Sequence, residues 1–216
     1  MGKRIFRLLA YDFDGTLVDS KEDIALAVNL ALRELGLRTL PAPTVHGYIG
    51  HGVLHLMTRA LEGTGHADIG GALARFRRHY REHLMDHTQF YPNCRETIDH
   101  FTHKTQAIVS NKPLEFIEII LEALNRRDRF PSVLGGDSVK NKKPDPEGVR
   151  LLLEKHGLQP DELLFIGDSP VDIQAGKRAG AATCAVTYGL HPTPTLQAAQ
   201  PDFLITSMEE LIPLIA

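Results

Sequence analysis

The sequence has little cysteine, and its two cysteines, Cys94 and Cys184, lie far apart with no CxxC or Cys/His ligand spacing. This argues against a disulfide framework and against a thiolate zinc site. Long apolar runs are also missing, because no stretch approaches the roughly 20 residues that span a bilayer. The basic start of the chain is soon interrupted by Asp12, so it does not match an export signal. We therefore expect a soluble protein of the reducing cytoplasm, with no membrane partner.

The chain also lacks an excess of charge of either sign. Its 24 lysines and arginines against 27 acidic residues give a formal net charge of -3. Such a chain lacks the positive electrostatic potential that binds nucleic acid nonspecifically. We therefore expect a small-molecule partner and no nucleic acid. The 216 residues, 43% of them hydrophobic, suffice for one packed domain or for a core domain that carries an insertion.

The first part of the chain divides into a short strand-like run and a long helical segment. Residues 4–11 have the pattern of a strand, whereas apolar residues recur at helical spacing through most of residues 18–90. Ser20, with Asp23 three positions later, has the pattern of a capping box that starts the first helix. Further helices are expected near residues 53–62 and 70–87, with a loop at residues 41–50. We interpret residues 18–90 as an inserted all-helical cap domain.

From Tyr91 onwards, strand-like and helix-like stretches alternate, as is typical of a parallel α/β sheet. Short apolar runs predict strands at residues 106–109, 132–135, 163–166, 182–186 and 203–205. We therefore predict an α/β core domain formed by residues 1–17 and 91–216, in which helices flank a parallel sheet.

Acidic residues follow two of the predicted strands. Asp12 and Asp14 lie two residues apart at the end of the first strand, and Asp168 and Asp172 follow the strand at residues 163–166. Open α/β sheets bind ligands at such strand ends. If the two strands are neighbours, these carboxylates converge and repel one another unless a cation is present. A set of hard oxygen ligands favours Mg²⁺.

Two further groups complete a set of residues suited to phosphoryl transfer. Ser110 ends a third strand and, with the backbone N–H groups after it, suits a phosphoryl oxygen. Lys143 adds a positive charge in a Lys-Pro-Asp-Pro sequence. Alone, each element is more often a turn or a helix cap. Four of them, each directly after a predicted strand, favour a site that works through an aspartyl-phosphate.

In order and spacing, these groups resemble the four motifs of the haloacid dehalogenase superfamily of phosphatases. The matching residues are Asp12-Phe13-Asp14-Gly15-Thr16-Leu17, Ser110, Lys143 before Pro144, and Gly167-Asp168-Ser169-x-x-Asp172. The resemblance covers nearly the whole chain. It implies a Rossmann-like core with a helical cap inserted just after the first motif, where the helical segment lies.

The resemblance implies a role for each acidic residue. Asp12 would be the nucleophile, and Asp14 the acid that protonates the leaving oxygen and then activates water. An acid at Asp14 favours phosphate ester hydrolysis over dehalogenation. Mg²⁺ would be held by Asp12, the backbone carbonyl of Asp14 and Asp168, with Asp172 behind them or reaching the metal through water.

The resemblance also implies the groups that hold the phosphoryl oxygens. Ser110 and the backbone of Asn111 would bind those oxygens, and Lys143 would neutralise the charge of the nucleophile and the phosphoryl group. Lys140 and Lys142 are rivals for this role, but only Lys143 directly precedes the proline of the motif. Lys143 is therefore the predicted catalytic lysine.

Finer features resemble the phosphoglycolate phosphatase group. They are Ser-Asn-Lys-Pro at 110–113, Gly-Gly-Asp at 135–137, Gly-Asp-Ser at 167–169, Tyr-Gly at 188–189 and Gly-His-Gly at 50–52. This implies 2-phosphoglycolate as the first expected substrate. Related phosphatases for pyrophosphate, nucleoside monophosphates or sugar phosphates share the core motifs and stay as alternatives. A phosphate-binding or receiver-type signalling module is the alternative of another class, disfavoured by Asp14 and by the cap.

A carboxylate on the leaving group would need a cation or N–H donors from the cap. The candidate substrate-binding residues there are Gly50, His51, Gly52 and Arg59. We also expect the cap to open and close about hinges near residues 16–20 and 88–92.

His79, His83 and His87 recur every four residues, a spacing that can bind a transition metal. Arginines between them favour a solvated polar surface instead. Whether this histidine stripe binds a metal stays open, as does the oligomeric state.

Overall fold

The computed structural model of the protein describes residues 5–215. Its strands are β1 (Leu8–Tyr11), β2 (Val18–Asp19), β3 (Gln89–Phe90), β4 (Thr105–Val109), β5 (Ser132–Leu134), β6 (Leu163–Gly167), β7 (Ala182–Val186) and β8 (Phe203–Ile205). Six of these strands form one parallel sheet in the order β5-β4-β1-β6-β7-β8, and β2 pairs with β3 in a separate antiparallel ribbon.

The helices are α1 (Lys21–Glu34), α2 (Ala42–His46), α3 (Val53–Leu61), α4 (Ile69–His83), α5 (Cys94–His100), α6 (Leu114–Ala123), α7 (Glu147–His156), α8 (Pro170–Ala179), α9 (Thr193–Ala198) and α10 (Leu211–Ile215). Within residues 5–215, none of them combines the length and the apolar content that crossing a membrane requires.

The centre of the sheet is β1, which lies between β4 and β6. All four of its residues are fully buried, as expected for a parallel strand covered on both faces by helices. Tyr11 lies beside Ile108 and Ile166, so the three strands end level with one another. This architecture confirms the predicted parallel α/β sheet with flanking helices. β1 starts later than predicted, at Leu8, and residue 4 lies outside the described residues.

Residues 18–90, which we call the cap segment, hold helices α1 to α4. α1 packs against α2 and α4, and α3 packs against α4. The buried face of α1 repeats at helical spacing through Ile24, Val28 and Leu32. The two connections between the cap segment and the rest of the chain run side by side, because Val18 pairs with Phe90 in the β2–β3 ribbon.

Two predicted boundaries in the cap segment are wrong. Residues 41–50 are not a loop throughout, since they contain α2, which has Pro43 in its first turn, where a missing N–H costs no helical hydrogen bond. The helix predicted over residues 70–87 ends at His83. The chain beyond it is held by Asp23, which accepts the backbone N–H of Thr88 at 2.8 Å.

The capping box predicted from Ser20 and Asp23 does not form. Ser20 does precede α1, but its side chain makes no capping hydrogen bond and donates instead to Asp14 Oδ1 at 2.5 Å. The Asp23 carboxylate accepts from the backbone N–H groups of His87 and Thr88 and from the Thr88 hydroxyl. Both polar side chains are therefore used in tertiary contacts rather than at the helix end.

Candidate active site

Three of the predicted site residues meet at the carboxyl edge of the parallel sheet. Asp12 directly follows β1 and continues its ladder by donating its backbone N–H to Ile166 at 2.8 Å. Ser110 follows β4, and Asp168 follows β6. Because these strands are neighbours, the three side chains share one edge of the sheet. None of the three residues is more than 6% exposed.

Asp12, Asp168 and Asp172 form a buried aspartate cluster in which carboxylate oxygens lie within 4.8 Å of one another. Lys143 Nζ lies 2.7 Å from Asp12 Oδ1 and 2.7 Å from Asp172 Oδ1. One lysine thus faces two carboxylates directly, while the third, Asp168, is paired among the described residues only with the His191 imidazole, whose Nδ1 lies 3.6 Å from Oδ2. The cluster therefore keeps an excess of buried negative charge, which is costly without a further cation.

Burial and the neighbouring charges shift the pKa values of Asp12 and of Lys143. Burial, the largest effect, and the nearby Asp172 carboxylate together raise the pKa of Asp12 to about 6, against the lowering effects of Lys143 and Ser110. Burial would lower the pKa of Lys143, but Asp12 and Asp172 raise it above its usual value. Lys143 is therefore a permanent cation, and a second cation beside Asp12 would favour the ionised carboxylate.

Two glycines make room for the Asp168 carboxylate. Gly15 has a φ of +85°, and a Cβ there would lie 2.4 Å from Asp168 Oδ2. A Cβ on Gly189 would lie 2.3 Å from Asp168 Cβ. The carboxylate is oriented by the Thr16 hydroxyl at 3.1 Å and by the Leu190 N–H at 2.8 Å. Side chains larger than glycine at either position would displace an acidic group of the cluster.

The aspartate cluster fits Mg²⁺ by the chemistry of its donors. Buried carboxylate oxygens with a net negative charge are the ligands that this hard cation prefers. Within residues 5–215, this cluster is the only group of three or more histidine, cysteine, aspartate or glutamate side chains whose ligand atoms lie this close together.

The Asp14 side chain is held by other partners than the aspartate cluster. Its carboxylate accepts from Lys112 Nζ at 2.8 and 3.1 Å and from Ser20 Oγ at 2.5 Å. Asp14 and Asp12 nevertheless line the same pocket. Asp12 is therefore part of the aspartate cluster, whereas the Asp14 carboxylate is bound by Ser20 of the cap segment and by Lys112.

Asn111 connects three loops through its side-chain amide. Its Nδ2 donates to the carbonyl of Gly50 at 2.9 Å and to the carbonyl of Lys143 at 3.0 Å, and its Oδ1 accepts the N–H of Lys143 at 3.0 Å. The amide therefore fixes the loop of the predicted catalytic lysine and also contacts the cap segment. This leaves the backbone N–H of Asn111 as the group for the predicted phosphate contact.

A pocket opens between the sheet edge and the cap segment, with a volume of about 40 Å³. Asp12, Asp14, Ser110 and Asn111 line it from the sheet. The cap segment lines it with Gly50, Gly52 and a set of apolar side chains. These are Ile24, Ile49, Val53, Leu56 and Phe76, and Tyr80 adds a hydroxyl.

His51 and Arg59 do not line this pocket. His51 is exposed and its ring lies 4.9 Å from the ring of His55. The Arg59 guanidinium pairs with Glu62 at 2.9 Å and lies 5.3 Å from the centre of the Tyr48 ring. Of the four cap residues predicted to bind substrate, the structure brings Gly50 and Gly52 to the pocket and leaves His51 and Arg59 outside its lining.

Two polar residues of the pocket, Lys112 and Tyr80, were not assigned a role from the sequence. Lys112 Nζ donates to the Tyr80 hydroxyl at 2.6 Å as well as to Asp14. Lys112 lies within the Ser-Asn-Lys-Pro motif, which was a usable signal. Tyr80 follows Phe76 by four residues on the buried face of α4, which has the pattern of an ordinary core position.

Each histidine of the predicted stripe pairs with a different carboxylate. His79 Nε2 lies 3.0 Å from Glu34 Oε2, His83 Nδ1 lies 2.8 Å from Asp86 Oδ2, and His87 Nδ1 lies 2.7 Å from Asp23 Oδ1. Because α4 ends at His83, His87 does not continue the helical face. The three imidazoles do not form one metal-ligating group in the structure.

Comparison with known proteins identifies the family. The model of the haloacid dehalogenase-like hydrolases matches residues 9–186, which include every catalytic motif described above. The chain belongs to the haloacid dehalogenase-like hydrolase family. This confirms the resemblance drawn from Asp12, Ser110, Lys143 and Asp168.

The relatives of this hydrolase are phosphatases. It is 36% identical over 224 residues to a phosphoglycolate phosphatase of Vibrio vulnificus, with 100% of this chain and 98% of the relative covered. It is 37% identical over 211 residues to one of Aquifex aeolicus, at 97% and 96% coverage. A crystal structure of a predicted phosphoglycolate phosphatase from Haemophilus somnus matches with a TM-score of 0.93 at 31% identity, over 98% of both chains. The hydrolase is accordingly a phosphoric monoester hydrolase.

Proposed function

We propose that this hydrolase removes phosphate from a small phosphorylated metabolite through an aspartyl-phosphate on Asp12, with Mg²⁺ as cofactor. The observation that carries the proposal is the setting of Asp12. Its carboxylate lines the pocket beside Ser110 and lies 2.7 Å from the buried ammonium of Lys143. A carboxylate paired with a fixed cation beside hydroxyl and N–H donors is suited to attack phosphorus.

The residues of the site divide the chemistry between two carboxylates. In the first step, an oxygen of Asp12 bonds to phosphorus as the ester bond breaks, and Asp14 gives its proton to the leaving oxygen. In the second step, Asp14 takes a proton from water, the water oxygen bonds to phosphorus, and Asp12 is released. Ser110 and the backbone N–H of Asn111 donate hydrogen bonds to the phosphoryl oxygens, and Lys143 offsets their charge.

Two members of the aspartate cluster, Asp12 and Asp168, would hold Mg²⁺ together with the backbone carbonyl of Asp14. Mg²⁺ supplies the positive charge that the cluster and the phosphoryl group require together. Asp172 is better placed to orient other groups, because its Oδ1 accepts from Lys143 and its Oδ2 from Ser169. The metal is therefore proposed to bind on the side of Asp12 and Asp168.

The pocket favours a small leaving group. Its volume is about 40 Å³, which leaves room for only a small group. Among the pocket-lining residues of the cap segment, Tyr80 is the one with a polar side chain, so a sugar or a nucleobase would find few partners for its polar groups. The two-carbon leaving group of 2-phosphoglycolate is small, and the Vibrio vulnificus and Aquifex aeolicus relatives are phosphoglycolate phosphatases. We therefore propose 2-phosphoglycolate as the first substrate.

Residues 18–90 are proposed to act as a cap domain that moves relative to the sheet. Both connections to the cap lie in the β2–β3 ribbon, so a change at residues 16–20 and 88–92 would move the cap segment as one body. Hydrogen exchange at these residues should slow when Mg²⁺ and a phosphate analogue are both present. Unchanged exchange would contradict a moving cap.

The function is tested by phosphate release with Mg²⁺ on 2-phosphoglycolate, pyrophosphate, nucleoside monophosphates and sugar phosphates. Asp12→Asn is run beside Asp161→Asn, an exposed aspartate that serves as the matched control. We expect a sharp preference for 2-phosphoglycolate that only Asp12→Asn abolishes. Preference for another member of the panel would keep the mechanism and correct the substrate.

An acid quench during turnover tests the intermediate itself. Phosphate bound to protein should appear within one turnover and disappear promptly, and Asp12→Asn should show none. If the phosphoprotein persists for minutes and no substrate is turned over, the result would contradict an enzymatic function and favour a signalling module.

A further inference from the structure

Lys112 provides the positive charge on the side of the pocket where the leaving group would lie. Lys112 is 6% exposed and contacts both carboxylate oxygens of Asp14, at 2.8 and 3.1 Å. A lysine ammonium paired with a carboxylate at this distance is a charged group. Lys143 contacts a different pair of carboxylates, those of Asp12 and Asp172.

Tyr80 presents a phenol to the same place from the cap segment. Burial raises the pKa of Tyr80 to about 12, so the hydroxyl keeps its proton. The oxygen accepts a hydrogen bond from Lys112 at 2.6 Å, and no described residue accepts the phenol proton. The ring is fixed by stacking on Phe76, at a centroid distance of 5.5 Å, and by an edge contact with Phe116 at 4.9 Å. The Tyr80 hydroxyl therefore lines the pocket as a fixed donor whose proton has no acceptor among the described residues.

The positions of these groups relative to Asp14 define what they could recognise. Asp14 must meet the ester oxygen of the substrate to protonate it. In a phosphate ester of an α-hydroxy acid, the carboxylate oxygens lie about 3 Å from that ester oxygen, by standard bond lengths. A cation that already touches Asp14 is therefore within reach of such a carboxylate. The apolar side chains around Tyr80 offer no competing acceptor.

We propose that Lys112 and Tyr80 together recognise a carboxylate on the carbon next to the ester oxygen, and so select phosphate esters of small α-hydroxy acids. This rests on the proposed function, because it assumes that Asp14 protonates the leaving oxygen. In the complex, Lys112 shares its charge between Asp14 and the substrate carboxylate, and Tyr80 donates its proton to that carboxylate. Tyr80 belongs to the cap segment and Lys112 to the sheet, so the carboxylate would bridge the two.

The test compares two substrates that differ only in the carboxylate, 2-phosphoglycolate and ethyl phosphate. The variants are Tyr80→Phe and Lys112→Met, and the matched controls are Tyr48→Phe in the cap segment and Lys140→Met on the surface. Losing a hydrogen bond to a charged group should raise KM for 2-phosphoglycolate about 10-fold or more in Tyr80→Phe. For ethyl phosphate, kcat/KM of Tyr80→Phe should stay within about twofold. The controls should leave the preference for the carboxylate intact.

A role limited to holding Asp14 would give a different result. Both substrates would then lose kcat by the same factor in each variant, and that outcome would overturn the proposal. A wild-type enzyme that hydrolyses the two substrates equally would also overturn it while keeping the phosphatase function. A wild-type enzyme that hydrolyses neither ester, nor any other member of the substrate panel, would overturn the proposed function itself.

Binding measurements separate recognition from catalysis and from folding. In an Asp12→Asn background, calorimetry should show that 2-phosphoglycolate binds more tightly than ethyl phosphate, and that Tyr80→Phe removes most of this difference. Equal binding of both esters before and after Tyr80→Phe would contradict the proposal. Tyr80→Phe keeps the aromatic packing, so this comparison holds even if Lys112→Met fails to fold.

Discussion

The two sides of the pocket are built in opposite ways. On the sheet side, buried charges are held by ion pairs and hydrogen bonds: Asp172, for example, accepts from Lys143 and from both donors of Ser169. On the side of the cap segment, the lining is apolar apart from Tyr80 and the backbone of two glycines. A rigid, charged side suits a phosphoryl group that is the same in every substrate, and a plain apolar side suits discrimination by size and by one polar contact.

The largest effect is expected from the lysine on the sheet side. Lys143→Met should lower kcat about 10³-fold, because it removes the fixed cation beside Asp12. It should also destabilise the fold by about 3–5 kcal/mol, since Asp12 and Asp172 would stay buried without their partner. Steady-state kinetics and thermal melting measure the two losses. Lys140→Met, the exposed control, should change neither, and near-normal turnover in Lys143→Met would refute the assignment.

Gly15 and Gly36 compare the two regions at equal backbone strain. Both have a positive φ, +85° and +70°, but a Cβ on Gly36 meets no atom within 4 Å. Gly36→Ala, in the cap segment, should cost only about 1–2 kcal/mol of stability and leave activity intact. Gly15→Ala adds a collision with Asp168 and should lower kcat about 100-fold through the displaced carboxylate. Equal activities of the two variants would show that the sheet side is more tolerant than its geometry indicates.

A smaller effect is expected from the ion pairs that join the cap segment to the sheet. Glu115 on α6 pairs with Arg77, at 3.4 Å, and with Arg81, both on α4. These side chains are partly exposed, so Glu115→Gln should cost only about 0.2–1 kcal/mol of cap closure and raise KM a few-fold. The difference in KM between the wild type and Glu115→Gln should vanish near 1 M salt, because the screening length is then about 3 Å. Glu118→Gln breaks a pair with Arg127 instead and should leave KM unchanged at any salt concentration.

The smallest effect concerns pH and the end of the cap segment. The hydrogen bond to Asp23 raises the pKa of His87 above its usual 6.5 in the folded state. The stabilisation by protonated His87 is therefore complete below about pH 6.5 and is lost as the pH rises through the folded-state pKa. The difference in unfolding free energy between the wild type and His87→Gln should be largest near pH 5–6 and shrink above it. Urea titrations across pH measure it, and a difference independent of pH would disprove this contact.

The motifs of the sheet side were readable because each follows a strand, and strand position is a local property of the chain. Asp12, Ser110 and Asp168 were each predicted at a strand end, and parallel order then brings them to one edge. The details that failed depended on tertiary contacts. The segment after α4 is held by Asp23, 65 residues earlier in the chain, which accepts the N–H of Thr88. Ser20 donates to Asp14, six residues earlier, instead of capping α1.

The sequence by itself determined the parallel α/β class, the family and the residues at the sheet edge, because hydrophobic periodicity and motif spacing record them directly. Only the tertiary structure decided which side chains of the cap segment meet the pocket. A charged residue such as Arg59 invites a binding role in the sequence, yet Glu62 and Tyr48 engage it at the surface. Tyr80 has the pattern of a core residue, and its proposed function depends on the hydrogen bond with Lys112, 32 residues later in the chain. Folding places the Lys112 ammonium beside Asp14.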